Sequence, residues 1–141
     1  MKRSESLAPL SREHHSALIL AQLLKRGAPA YKDLPTSPRE KAAYAIKMFD
    51  DSLKEHFRKE EILIEKVEGC HEDIKKLGEE IIMEHGQLTN AFNMLGKETD
   101  LEVAMDQLGS ELDKHIRKEE RVLFPLIEKY CSEEVLRGIE F

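Results

Sequence analysis

Apolar residues recur at intervals of three and four along most of the chain, the spacing of helices that each bury one face. Leu7, Leu10, Ala17, Leu18, Ala21 and Leu24 share one face of a first predicted helix that ends near Gly27, and the segment GAPAYKDLPTSP after it reads as a loop. Ser37 followed by Pro38, Arg39 and Glu40 forms a capping box with proline at the first helical position. A second helix should therefore start there and run to about Val67, with Gly69 as its stop. Ile74, Leu77, Ile81, Ile82, Leu88, Phe92 and Leu95 line a third helix over residues 71 to 95, weakened slightly by Gly78 and Gly86 and ended by Gly96. Thr99 and Glu102 form another capping box, opening a fourth helix that continues to about Tyr130 although Pro125 must free one backbone carbonyl and bend it. A short final helix can follow Ser132. Four long amphipathic segments with mostly short connections predict an all-α fold, an up-and-down antiparallel four-helix bundle formed by residues 1–141 as one domain.

The same pattern contains an echo. EHFRKEEILIEKV, beginning at Glu55, returns as KHIRKEERVLFPLIEKY, beginning at Lys114, so the second and fourth helices should play equivalent roles about an approximate twofold axis. The repeated element is H-x-x-x-E, His56 to Glu60 and His115 to Glu119. On a helix this spacing points both side chains to one side, where imidazole nitrogen and carboxylate oxygen can grip one ion. One such pair is common by chance on a charged helix. Two pairs, each in a helix with an apolar face, imply two metal ions, for which iron, manganese and zinc all suit the donor set.

The other two helices supply a histidine each. His85 lies in register with Ile81, Ile82, Leu88 and Phe92; beside two H-x-x-x-E elements it reads as a ligand rather than a core histidine. His14 and His15 compete in the first helix, and the apolar face centres better on His14. His71, directly after Gly69 and Cys70 at a helix start, reads as a solvated or capping residue. Glu61, Glu120, Lys59 and Lys118 occupy the stripe next to the ligand positions and read as its solvated edge. The predicted metal set is therefore His14, His56, Glu60, His85, His115 and Glu119.

Composition narrows the function. A formal charge of −6 argues against nucleic acid as a partner, because phosphate binding needs uncompensated Lys and Arg. No apolar run has the length of a signal peptide or of a membrane span, which takes roughly 20 residues, so a soluble cytoplasmic protein without a membrane partner is expected. Cys70 and Cys131 are too few for a disulfide framework and lack metal-type spacing, so both should be reduced thiols. No nucleotide loop, substrate-pocket signature or redox-active cysteine pair argues for a dedicated enzymatic reaction.

The ordered set EH at 13–14, HFRKEE at 56, EH at 84–85 and HIRKEE at 115 resembles the hemerythrin-like, or HHE cation-binding, family from Leu10 to about Tyr130. The resemblance implies a non-haem di-iron centre, with His14 and His56 on one iron, His85 and His115 on the other, and Glu60 and Glu119 bridging. The chain departs from the oxygen-carrying members, which add a second histidine one turn along the third helix and an H-x-x-x-x-D element in the fourth. Here Thr89 stands four residues after His85, and Glu119 replaces the aspartate expected one position later, at Glu120. It is similar instead to the four-histidine, two-glutamate members, among which are iron–sulfur-repair proteins and the iron-sensing domain of a ubiquitin-ligase subunit. Six ligands with two shared leave each ion below six-coordinate, which points to an open site for dioxygen, nitric oxide or peroxide. An iron- or oxygen-sensing module read by a partner protein is the alternative. Carboxylate bundles of the ferritin type fit less well, since they place glutamate before histidine at a spacing of three.

Overall fold

A computed structural model describes residues 3–97 and 100–141. Among these the chain is helical, with no strand. Helix α1 is Ala8–Leu24. Helices α2 (Pro38–Met48) and α3 (Lys54–Val67) join through a π-helical segment, Phe49–Leu53, into one long rod; α4 is Glu72–Met94. Helices α5 (Leu101–Lys118) and α6 (Phe124–Tyr130) join through a second π-helical segment, Glu119–Leu123, and a short α7 (Glu133–Arg137) follows. These are the four predicted rods and the final helix. Ser11 bonds Glu120 at one end of α1 while Lys25 bonds Asp113 beyond the other, which sets α1 antiparallel to α5.

The rods start and stop for local reasons. Ser37 Oγ accepts from the Glu40 backbone N–H, the N-cap half of the predicted capping box, while the Glu40 carboxylate accepts from the Ser37 hydroxyl at 3.0 Å rather than from its backbone N–H. Helix α5 starts on a different cap from the one read in the sequence: the Asp100 side chain accepts from the Val103 N–H, and Thr99 lies outside the described residues. Gly27 and Gly96 take φ of 75° and 86° just beyond α1 and α4, a conformation that side chains disfavour. Gly69 does not act this way; α3 instead passes into a tight turn, Glu68–Cys70, and an extended His71. Pro125 does free a carbonyl. In a π-helical turn the Glu120 carbonyl would accept from the N–H of residue 125, which proline lacks, and Arg3 Nη2 donates to it instead at 3.1 Å.

Two apolar layers fill the bundle. One gathers Ala17, Leu20, Leu24, Phe49, Leu53, Phe57, Leu88, Phe92, Leu112 and Ile116; the other Leu7, Leu10, Leu63, Ile64, Ile74, Ile81, Leu123, Phe124 and Ile127. Two glycines permit close approach between rods. A Cβ at Gly109 would stand 2.6 Å from the Ala21 carbonyl oxygen, and one at Gly78 would stand 2.6 Å from Ile64 Cγ2. The cysteines are a correction to the sequence reading. Cys70, after α3, and Cys131, after α6, are joined as a disulfide with Cα atoms 5.4 Å apart, because the second and fourth rods end side by side. No helix among the described residues is long and apolar enough to cross a membrane.

Candidate metal centre

Between the two apolar layers lies a polar one. The buried polar and charged side chains among the described residues are His14, His56, Glu60, His85, His115 and Glu119, the six singled out from the sequence. Helix α3 sets His56 and Glu60 one turn apart; α5 supplies His115, and Glu119 opens the π-helical segment after it. Helices α1 and α4 contribute His14 and His85. His15, one residue round α1, is exposed. His71 caps α4 by accepting from the Asp73 N–H and stacks on Tyr130, away from this layer.

The donor atoms fall into two overlapping groups: His14, His56, Glu60 and Glu119, and His85, His115, Glu60 and Glu119, with all atoms of a group within 4.8 Å of one another. Glu60 turns Oε2 to His14 Nε2 at 3.0 Å and to His56 Nε2 at 3.1 Å, while its Oε1 meets His85 Nε2 at 3.0 Å. Glu119 stands between His14 Nε2 at 3.1 Å and His115 Nε2 at 3.4 Å. Each carboxylate thus reaches histidines of both groups. The imidazoles of each group meet edge to face, at 4.8 Å for His14 and His56 and 4.9 Å for His85 and His115.

Whether a cation fits is answered by what these atoms lack. His56 Nε2, His115 Nε2 and both Glu119 carboxylate oxygens are buried without a hydrogen-bond partner. Such groups cost about 1–3 kcal/mol each when left unsatisfied, and inward lone pairs on nitrogen and oxygen are what a transition-metal ion coordinates. Without a cation, protons hold the layer together. Burial works to lower the His14 pKa, but the carboxylates of Glu119, Glu120 and Glu60 close around it outweigh burial and push it up to about 12. Burial likewise opposes Glu119 and Glu60 at His85, which is raised to about 10. Glu60 stays well below the usual carboxylate range because His56, His14 and His85 overcome its burial.

Four further glutamates complete the site, and the sequence reading missed their role. Glu13 accepts from His56 Nδ1 at 2.8 Å, Glu61 from His85 Nδ1 at 2.9 Å, Glu84 from His115 Nδ1 at 2.7 Å and Glu120 from His14 Nδ1 at 2.6 Å. Each glutamate sits next in sequence to an inner residue and braces the histidine of the neighbouring rod: α1 to α3, α3 to α4, α4 to α5, and the π-helical segment after α5 back to α1. The ring closes on itself. With the Nδ1 proton held outward, each Nε2 lone pair is left facing inward, which fixes the tautomer a metal ligand needs. Glu61 and Glu120 are therefore not part of a merely solvated stripe, and neither are Lys59 and Lys118, which bond Glu13 and Glu84. The hydrogen bond from His115 leads in drawing the Glu84 pKa down to about 2. The signal in the sequence was a glutamate next to each of four inner residues, at 13–14, 60–61, 84–85 and 119–120, although EH recurs at 55–56 and EE at 79–80 and 133–134 without that role. Phe57 stacks on His85 at 4.1 Å and Phe124 on His14 at 5.6 Å, sealing the layer from either side.

The family model described as "Hemerythrin HHE cation binding domain" matches residues 63–140, more than half of the chain. That stretch holds His85, His115 and Glu119; His14, His56 and Glu60 precede it. Neither the curated proteins nor the solved structures gave a match. A helical bundle, a buried layer of histidine and glutamate with unsatisfied inward donors, and this match agree: the chain belongs to the hemerythrin HHE cation-binding domain family, a metal-binding one.

Proposed function

We propose that the chain holds two iron ions without haem and presents them to a small oxidant, dioxygen, nitric oxide or peroxide, in the cytoplasm. His14 and His56 would hold one ion, His85 and His115 the other, and Glu60 and Glu119 would be shared. The observation that carries this reading is the buried layer in which both carboxylates reach histidines of the two groups. Iron bound there would supply one-electron redox chemistry toward the oxidant.

The chain's own part is to prepare the place. The ring of outer glutamates keeps every Nε2 turned inward, so little reorganisation accompanies binding. The two apolar layers, with Phe57 and Phe124 against the imidazoles, keep bulk water from the ligands. Four histidines and two carboxylates leave room for an exogenous ligand on each ion. Histidine and carboxylate also accept manganese and zinc, so metal analysis of protein purified from its native host, with an optical spectrum before and after air exposure, is the test. Two irons per chain and an absorption band that develops with air support the proposal; zinc, or iron whose spectrum ignores air, nitric oxide and peroxide alike, refutes it. The cytoplasmic part is tested separately by the redox state of Cys70 and Cys131 in the host, since cytosolic thiols are generally kept reduced.

A further inference from the structure

The four outer glutamates are alike in what they hold but not in what holds them. Glu13 receives Lys59 Nζ at 2.9 Å. Glu120 receives Arg3 at 3.0 Å, a guanidinium it shares with Glu128 at 2.7 Å, and the Ser11 hydroxyl at 2.7 Å. Glu84 receives Lys118, an ammonium it shares with Glu80 at 2.6 Å. Glu61 meets no cation among the described residues; its hydrogen-bond partner there is His85 Nδ1 at 2.9 Å. A carboxylate already engaged by an ammonium or guanidinium draws less on the imidazole proton and projects a weaker field into the buried layer, where a lower dielectric lets the difference count. His14 and His56 therefore stand before two counter-charged carboxylates. His85 and His115 stand before one such carboxylate, Glu84, and one with no counter-charge among the described residues, Glu61.

We infer that the two groups fill in order, a first divalent transition-metal ion settling between His85 and His115 and a second between His14 and His56, with Glu61 setting that order. The inference rests on the two-ion reading above. Glu61 is a positioning residue: it acts on the ion through the His85 ring. Because its side chain is 42% exposed, water screens part of its charge, and its effect belongs at the lower end of the 10- to 100-fold range of such outer partners, about tenfold.

The test is a calorimetric titration of the full chain with cobalt(II) at fixed pH and salt, circular dichroism confirming that each variant is folded. The wild-type chain should take two ions in resolved steps. Glu61→Gln should weaken the first step about tenfold and leave the second within about threefold. Glu13→Gln should do the reverse. Lys59→Met, which frees Glu13 of its counter-charge, should tighten the second step, a gain that damage to the fold does not produce. If Glu61→Gln spares the first step or weakens both equally, or if Lys59→Met fails to tighten the second, the filling order is wrong. Two ions with that pattern overturn this inference alone; a single ion in the wild-type chain overturns the two-ion reading with it.

Discussion

Exchanging glycine for alanine at two positions should move stability in opposite directions, because one glycine lets two rods touch and the other faces open space. At Gly109 the new Cβ would stand 2.6 Å from the Ala21 carbonyl oxygen, with Leu24 Cβ at 3.2 Å and Lys25 Cγ at 3.3 Å. Reaching the 3.4 Å of ordinary contact requires α1 and α5 to part by about 0.8 Å, and backbone cannot give way as a side-chain tip can. Overpacking of this kind costs about 1–3 kcal/mol, from which the better helix propensity of alanine recovers up to about 1 kcal/mol. Because the atom met at 2.6 Å is backbone, the penalty belongs in the upper part of that range, about 2–3 kcal/mol, and the net loss is about 1–2 kcal/mol. With an unfolding entropy of about 2.1 cal/mol/K per residue over 141 residues, Tm should fall by about 3–7 °C. At Gly86 a Cβ meets nothing within 4 Å, so propensity acts alone and Tm should rise by about 2–3 °C. Thermal unfolding of chelator-treated protein, followed by far-ultraviolet circular dichroism with the disulfide intact, reads both. A Gly109→Ala chain as stable as wild type would mean that α1 and α5 do not pack as described; a Gly86→Ala chain that loses stability would mean that its side of α4 is covered.

Three other expectations follow from the site and its surroundings. Glu60→Gln and Glu119→Gln should each lower the occupancy of both ions together, whereas His85→Ala should empty chiefly one; Glu65→Gln, on the exposed side of α3, is the appropriate control, since Glu61 bonds His85. Metal uptake at pH 7 should release two or more protons per chain, because His14 and His85 stand at about 12 and about 10 until an ion displaces their protons. The sign of the same shifts makes the cation-free chain gain from these protons below about pH 6.5 and lose that gain as pH rises through about 10 and then 12; an indicator-dye measurement showing no proton release would contradict it. Reducing the Cys70–Cys131 bond, which spans 61 residues, should destabilise the chain by about 4 kcal/mol, read from the denaturant midpoint with and without reductant.

The helices were legible because each buries one face, and the inner layer because the H-x-x-x-E spacing places two donors on that face. The apolar stripe also told His14 from His15, a difference of one step round the helix. What stayed hidden depends on which rods meet. A glutamate beside an inner residue points about a third of the way round the helix, so Glu13, Glu61, Glu84 and Glu120 find their histidines only on a neighbouring rod, and periodicity alone leaves them on a solvated edge. The same holds for Cys70 and Cys131, joined because two distant rod ends lie together. The π-helical segments add a residue to a turn without disturbing the apolar pattern enough to be read from it, and the second of them puts the Glu120 carbonyl where Pro125 cannot serve it.

The central claim is that one buried layer holds two ions through shared carboxylates. The most direct test is the ratio of metal to protein in fully loaded chain, measured by elemental analysis beside quantitative amino-acid analysis, for wild type and for Glu60→Gln. The account predicts two ions per chain in the first and a joint loss of both in the second; one ion in the wild type, or the loss of a single ion in the variant, would contradict it.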